Sequence, residues 1–167
     1  LNHCGFEVLE EEMINRDTLS MVVRKTAMPE TDADAGAKGA GVSIIDPLTE
    51  GHEIVTAEVR ALTERLAREG KRLAMWGASH QGFTLAATTS LGKNVEYIID
   101  SAPFKHGKFA PASHLPIVPP DHFEEHPVDA IVITAPGYTD EIAKIIRERF
   151  GEKIEIRAMR SNHLEMV

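Results

Sequence analysis

The chain has 167 residues, 43% hydrophobic and 26% charged, with a net charge of −8 and a single cysteine, Cys4. That balance suits one globular domain with an appendage. It argues against a duplex nucleic acid partner, which needs a basic face, and a lone cysteine forms no internal disulfide. Apolar runs of only a few residues predict no membrane span, and the absence of a signal-like opening makes a cytoplasmic location the expectation.

Taken in order, residues 1–27 read as a β-hairpin. Phe6, Val8 and Leu9 form one extended run, Leu19, Met21, Val22 and Val23 another, and the acidic stretch Glu10 to Asp17 reads as the turn between them. Two strands alone are marginal in water, so this piece is expected to be the closing hairpin of a preceding domain. An opening at Leu1 rather than Met fits a piece of a longer chain. Residues 28–46 are rich in Gly, Ala, Asp and Pro and read as a linker. From Asp46 to Gly70 the spacing predicts a helix burying Ile54, Val55, Val59, Leu62 and Leu66, with Glu64 and Arg68 as an i,i+4 pair.

An αβ alternation then runs to the end of the chain. Predicted strands cover Arg72 to Trp76, Val95 to Asp100, Leu115 to Val118, Asp129 to Thr134 and Lys153 to Met159. Predicted helices cover Gln81 to Leu91, ended by Gly92, and a second from the cap residues Thr139 and Asp140 to Gly151. The fold class that follows is α/β: a Rossmann-like open, mostly parallel sheet with flanking helices, spanning residues 47–167.

The chemistry-bearing stretch is the turn Gly77-Ala-Ser-His-Gln-Gly82 between the first strand of that alternation and its helix. Gly77 and Gly82 hold the first and third glycine positions of a dinucleotide fingerprint, with Ser79 in place of the middle one, and Asp100 follows at the offset of a ribose-binding acid. Three readings stay open: a dinucleotide site of an NAD(P)-dependent oxidoreductase or sensor, a site for another nucleotide or sugar nucleotide, and a tight turn with an N-cap serine. A serine-hydrolase elbow fails, because the glycine after Ser79 comes one residue late.

His122 and His126 in HFEEH stand four apart, but flanking prolines leave barely one helical turn, so a solvated turn is expected and no metal. His114, held between Pro111 and Pro116, suits either a positioned hydrogen bond or a structural one. Lys105 and Lys108 could meet a phosphate. Trp76 and Tyr138, at the ends of predicted strands, could stack on a ring or cover the sheet edge.

The run GKRLAMWGASHQGFTLAATTS, followed by IIDSAPFKHGKFAPASHLPIVPP, resembles the C-terminal domain of S-adenosylmethionine-dependent sugar C-methyltransferases, over about Glu50 to Ile156. The family pattern G-Y-G-A-x-A-K-G is matched at Gly77, Ala78 and Gly82. The pattern V-D-x-N-P-x-K-Q-G-x-x-x-P-G-T-H-I-P-I is matched at Asp100, Pro103, Lys105, Gly107, Pro111, His114, Pro116 and Ile117. Gln81 replaces the family's lysine, and Arg16 to Ser20 lacks the glycines of the family's corresponding stretch. The turn also looks like the nucleotide-sugar-binding turn of bacterial sugar acetyltransferases.

The resemblance implies a domain that binds or closes over a nucleotide-linked sugar and is not catalytic alone. Gly77, Ala78, Ser79, His80, Gln81, Gly82, Asp100, Lys105, His114 and Tyr138 are the implied substrate-binding residues. It also implies that S-adenosylmethionine and the catalytic base belong to a preceding methyltransferase domain, which is then the expected partner, and that the family's zinc-binding N-terminal region lies outside this chain as well. Residues 1–27 look like that domain's closing hairpin, and a homodimer is kept open. A purely structural module is the remaining reading.

Overall fold

A computed structural model describes residues 5–14, 18–26 and 45–167. The chain divides into two compact units, 1–48 and 49–167. The expected linker lies outside the described residues up to residue 44, as do Cys4 and the turn residues 15–17.

The first unit is a two-stranded antiparallel ribbon of β1 (Phe6–Ile14) and β2 (Thr18–Lys25). The acidic run expected as a turn is strand instead. Glu10, Glu11 and Glu12 pair with Val22, Met21 and Ser20, so no carboxylate meets another across the ladder. Leu9, Met13, Leu19 and Val22 are all exposed within this unit.

The second unit begins on α1 (Ile45–Arg68). Val55, Val59, Leu62 and Leu66 are buried at helical spacing, whereas Ile54, expected with them, is 37% exposed because it lies off that stripe. The ion pair in the last turns joins Arg65 to Glu69 at 3.4 Å, not Glu64 to Arg68. Gly70 ends the helix at φ +64°, and the Lys71 N–H reaches back to the Leu66 carbonyl at 2.9 Å.

The sheet holds β3 (Leu73–Trp76), β4 (Ile98–Ile99), β5 (Ile117–Val118), β6 (Ala130–Ile133), β7 (Glu155–Arg160) and β8 (His163–Met166) in the order β5-β4-β3-β6-β7-β8. All neighbours are parallel except β7 and β8. This is a Rossmann-like open sheet, with its switch point between β3 and β6.

Strand residues alternate between two cores. Leu73, Met75, Ala130 and Val132 face α1, α2 (His80–Thr88) and α3 (Leu91–Asn94). Ala74, Trp76, Ile131 and Ile133 face α4 (His122–Glu125) and α5 (Thr139–Phe150). With both faces covered, β3 and β6 can be apolar throughout.

Several boundaries differ from expectation for local reasons. The helix after the turn stops at Thr88, because the Thr89 hydroxyl donates to the Leu85 carbonyl at 2.6 Å and accepts from the Leu91 N–H at 3.2 Å. Gly92 therefore sits inside α3, where a Cβ would meet the carbonyl of Ala86. Thr139 is the first residue of α5 and not its cap; its hydroxyl donates to Pro136 at 3.3 Å. After β7 the chain reverses at Ser161 (φ +53°) into β8, which was not expected from so short a stretch.

Candidate functional site

β3 delivers the chain to the turn at the C-terminal edge of the sheet, beside the switch point. Gly77 adopts φ +119°, which a side chain would strain. Ser79, extended at φ −120°, is the N-cap of α2, and its hydroxyl accepts from the Gly82 N–H at 3.3 Å. The same hydroxyl donates to the Thr134 carbonyl at 3.4 Å. Thr134, buried just past β6, donates in turn to the Gly77 carbonyl at 3.0 Å and the Trp76 carbonyl at 3.3 Å. A Cβ on Gly82 would lie 2.5 Å from the Gly77 carbonyl and 2.7 Å from the Thr134 hydroxyl. The two glycines thus serve a positive φ and a close helix–strand approach.

Asp100 leaves the end of β4 beside this turn and is 9% exposed. Its Oδ2 accepts from the Ala78 N–H at 2.8 Å, and its Oδ1 from the Ala102 N–H at 2.9 Å. The Lys105 ammonium lies 2.9 Å from Oδ2 and donates also to the Ala78 carbonyl at 2.9 Å. The His106 ring (Nε2) is 2.7 Å from the Asp100 carbonyl. An ammonium has three protons, so Lys105 keeps one donor beyond these two bonds. Helix geometry leaves the first-turn N–H groups of α2, at His80 and Gln81, without intrahelical acceptors. Both residues are exposed. The arrangement suits an anion: a positive helix end, with a lysine at the same turn and a backbone already held.

The structure brings together Gly77, Ala78, Ser79, His80, Gln81, Gly82, Asp100 and Lys105. Ala78 is buried and contributes only its backbone. Tyr138, 61% exposed, closes a short 3₁₀ turn after β6, on the other side of the switch point.

His114 does not join them. Residues 107–110 run back against 115–117, and the tip between them lies at the start of β5. Ser113 at that tip lies beside Gly92 in α3, past the end of α2 that is farther from the turn. The crossover doubles back on itself, which carries His114 to the opposite edge of the sheet. Its φ of +56°, with +63° at Ala112, marks a strained backbone at that tip.

Trp76 is 2% exposed and packs near Phe150 (centroids 6.1 Å), so it belongs to the core and stacks on nothing outside it. Lys108 is exposed, with no tie to the turn among the described bonds. His122 opens the single turn of α4 and His126 is its C-cap, with ring centroids 4.3 Å apart, and His122 sits edge-on to Tyr97 at 4.9 Å. The Tyr97 hydroxyl donates to the His126 carbonyl at 2.5 Å, and burial pushes its pKa up to about 12. No group of three or more metal-ligating side chains occurs among the described residues.

Two contributors carried no sequence signal: Thr134 and His106 act through partners distant in sequence or through the backbone. An open cleft of about 420 Å³ lies apart from the turn, lined in part by Glu58, Leu62, Arg65, Arg157 and Leu164. There Arg65 and Arg157 are both tied to Glu155, at 2.6 and 2.9 Å, which makes it an ion-paired packing seam. Among the described residues no helix is long and apolar enough to cross a membrane.

A family model described as the C-methyltransferase C-terminal domain matches residues 14–154. The C-methyltransferase NovU of Streptomyces niveus is 33% identical over 91 residues, covering 54% of this chain and 22% of that protein. The chain therefore spans about a fifth of the curated relative that it matches. A UDP-D-quinovosamine 4-dehydrogenase from Vibrio fischeri superposes with a TM-score of 0.48 at 17% identity, covering 58% of this chain and 93% of that one.

Proposed function

We propose, from the premise that this chain belongs to the C-methyltransferase C-terminal domain family, that it binds a nucleotide-linked sugar and leaves methyl transfer to the rest of a longer enzyme. The observation that carries the reading is the placement of Lys105, whose ammonium touches both the Asp100 carboxylate and the Ala78 carbonyl at 2.9 Å. That puts a cation at the turn where the family's lysine at position 81 is replaced by glutamine. The diphosphate would lie over the N-terminus of α2, met by the His80 and Gln81 N–H groups and by the remaining Lys105 proton. The sugar would extend over the switch point toward Tyr138.

A methyl donor or a dinucleotide is the less supported reading of the same residues. In such sites the acid at the end of the second strand takes ribose hydroxyls. Here Asp100 is already occupied by two backbone N–H groups and an ammonium. S-adenosylmethionine, in this reading, belongs to a preceding methyltransferase domain.

Titrating the chain with TDP- and UDP-sugars, with NAD(H) in parallel, tests the reading. Saturable sugar-nucleotide binding with no thermal shift by NAD(H) supports it. Absence of sugar-nucleotide binding at millimolar concentration leaves an architectural role. A shift by NAD(H) restores the oxidoreductase reading.

A further inference from the structure

We propose that Phe104 is the platform on which the nucleobase of the bound nucleotide stacks. This rests on the sugar-nucleotide reading above and adds the group that recognises the far end of the ligand. Phe104 is 71% exposed, although the residues on either side of it are tied by backbone hydrogen bonds. It sits in the 3₁₀ turn Pro103–Lys105, closed by Lys105 N–H to Ala102 at 3.0 Å and His106 N–H to Pro103 at 3.2 Å. The Ala102 N–H is itself bound to Asp100.

The Lys105 ammonium stands 5.8 Å from the Phe104 ring centroid and 2.9 Å from the Ala78 carbonyl, so one cation neighbours both the ring and the turn. The cation takes one side of the ring, and the exposure leaves apolar ring surface open to solvent. A nucleoside diphosphate has the matching layout: an anion for the lysine and helix end, then, one ribose away, a flat π-face for the phenyl ring. Phe109, 65% exposed, lies in the returning arm of the crossover and bridges Pro116, without this link to the turn.

The experiment titrates the full chain and two variants, Phe104→Ala and Phe104→Trp, with TDP, UDP and inorganic pyrophosphate. Phe104→Ala should weaken TDP and UDP binding on the order of tenfold to a hundredfold and leave pyrophosphate unchanged. Phe104→Trp should keep TDP affinity, with an emission quenched by TDP and not by pyrophosphate; the buried Trp76 of the parent chain supplies the baseline. If the parent chain binds TDP and Phe104→Ala binds it equally well, the platform is refuted and the sugar-nucleotide reading survives. Equal losses for TDP and pyrophosphate also refute it, since Phe104 would then only shape the turn. A parent chain that binds neither TDP nor TDP-sugars overturns both proposals.

Discussion

Gly82 stands so close to Gly77 that a single methyl group on its α-carbon would lie 2.5 Å from the Gly77 carbonyl oxygen. The obstruction is backbone and a buried threonine hydroxyl, neither of which can swing away as a long side chain can. Gly82→Ala should therefore cost about 1–3 kcal/mol, the usual penalty for overpacking. Urea denaturation would read this as a lower midpoint at unchanged slope. A variant as stable as the parent would mean that α2 can slide off the turn.

Lys105→Met removes the ammonium and keeps the length of the side chain. Asp100 retains its two backbone N–H partners, so the fold should survive with a loss of about 1–3 kcal/mol. Sugar-nucleotide affinity should fall by about tenfold or more, since a charge-assisted contact is lost. Lys108→Met, three residues on, should change neither quantity. If the two variants weaken binding alike, a diffuse positive field and not a placed lysine is at work.

Ala112 adopts φ +63° at the tip of the β4–β5 crossover, a region that costs a residue with a Cβ about 1–2 kcal/mol. Glycine relieves that cost and gives back part of it as unfolded-chain entropy. Ala112→Gly should stabilise the chain by about 0.5–1 kcal/mol, readable as a rise in Tm of about 1–4 °C. Ligand affinity should not move, because the tip is at the far edge of the sheet. A fall in Tm would contradict the strain argument.

Burial, and secondarily the neighbouring His126, hold the His122 pKa below the ordinary histidine value, while Glu125 pulls weakly the other way. Tyr97 meets the ring edge-on, and the Arg149 pairs with Asp121 and Glu124 flank the same turn. The folded state thus binds this proton less readily than the unfolded chain. The His122 contribution is complete above about pH 6.5 and is lost as pH falls from there toward the folded pKa. For Glu58 and Glu155, burial pushes the pKa upward, but hydrogen bonds and charges from His163 and Leu164, or from Arg65 and Arg157, outweigh it. Their contributions are lost in a lower window, below the ordinary carboxylate range. Stability measured from pH 8 to 5 should decline less steeply in His122→Gln than in the parent. Identical slopes would rule His122 out as the source.

What the sequence made legible was local. Gly77, Ser79 and Gly82 announce a strand–turn–helix because their spacing within six residues dictates a turn and a cap. The apolar runs at β3 and β6 announce buried parallel strands for the same reason. What depended on the third dimension stayed hidden. Asp100 has the offset of a ribose ligand, yet its oxygens are taken by Ala78, Ala102 and Lys105, which only the folded chain brings to it. His114 shares a motif with Lys105, but a reversal between them sends the two to opposite edges of the sheet. The acidic run of β1 lacked any strand signature, because its partners Val22, Met21 and Ser20 supply the compensation from the other strand.

The Asp100 carboxylate, shared between the exits of β3 and β4, has a kinetic consequence. Because Ala78 and Lys105 are both bound to it, the turn would need no ordering step to receive the proposed ligand. The entropy of shaping the cradle is spent during folding, so little remains to be lost on association. Arrival of the proposed ligand at this edge would then be limited by collision and by the rotamers of the exposed Tyr138 and Phe104.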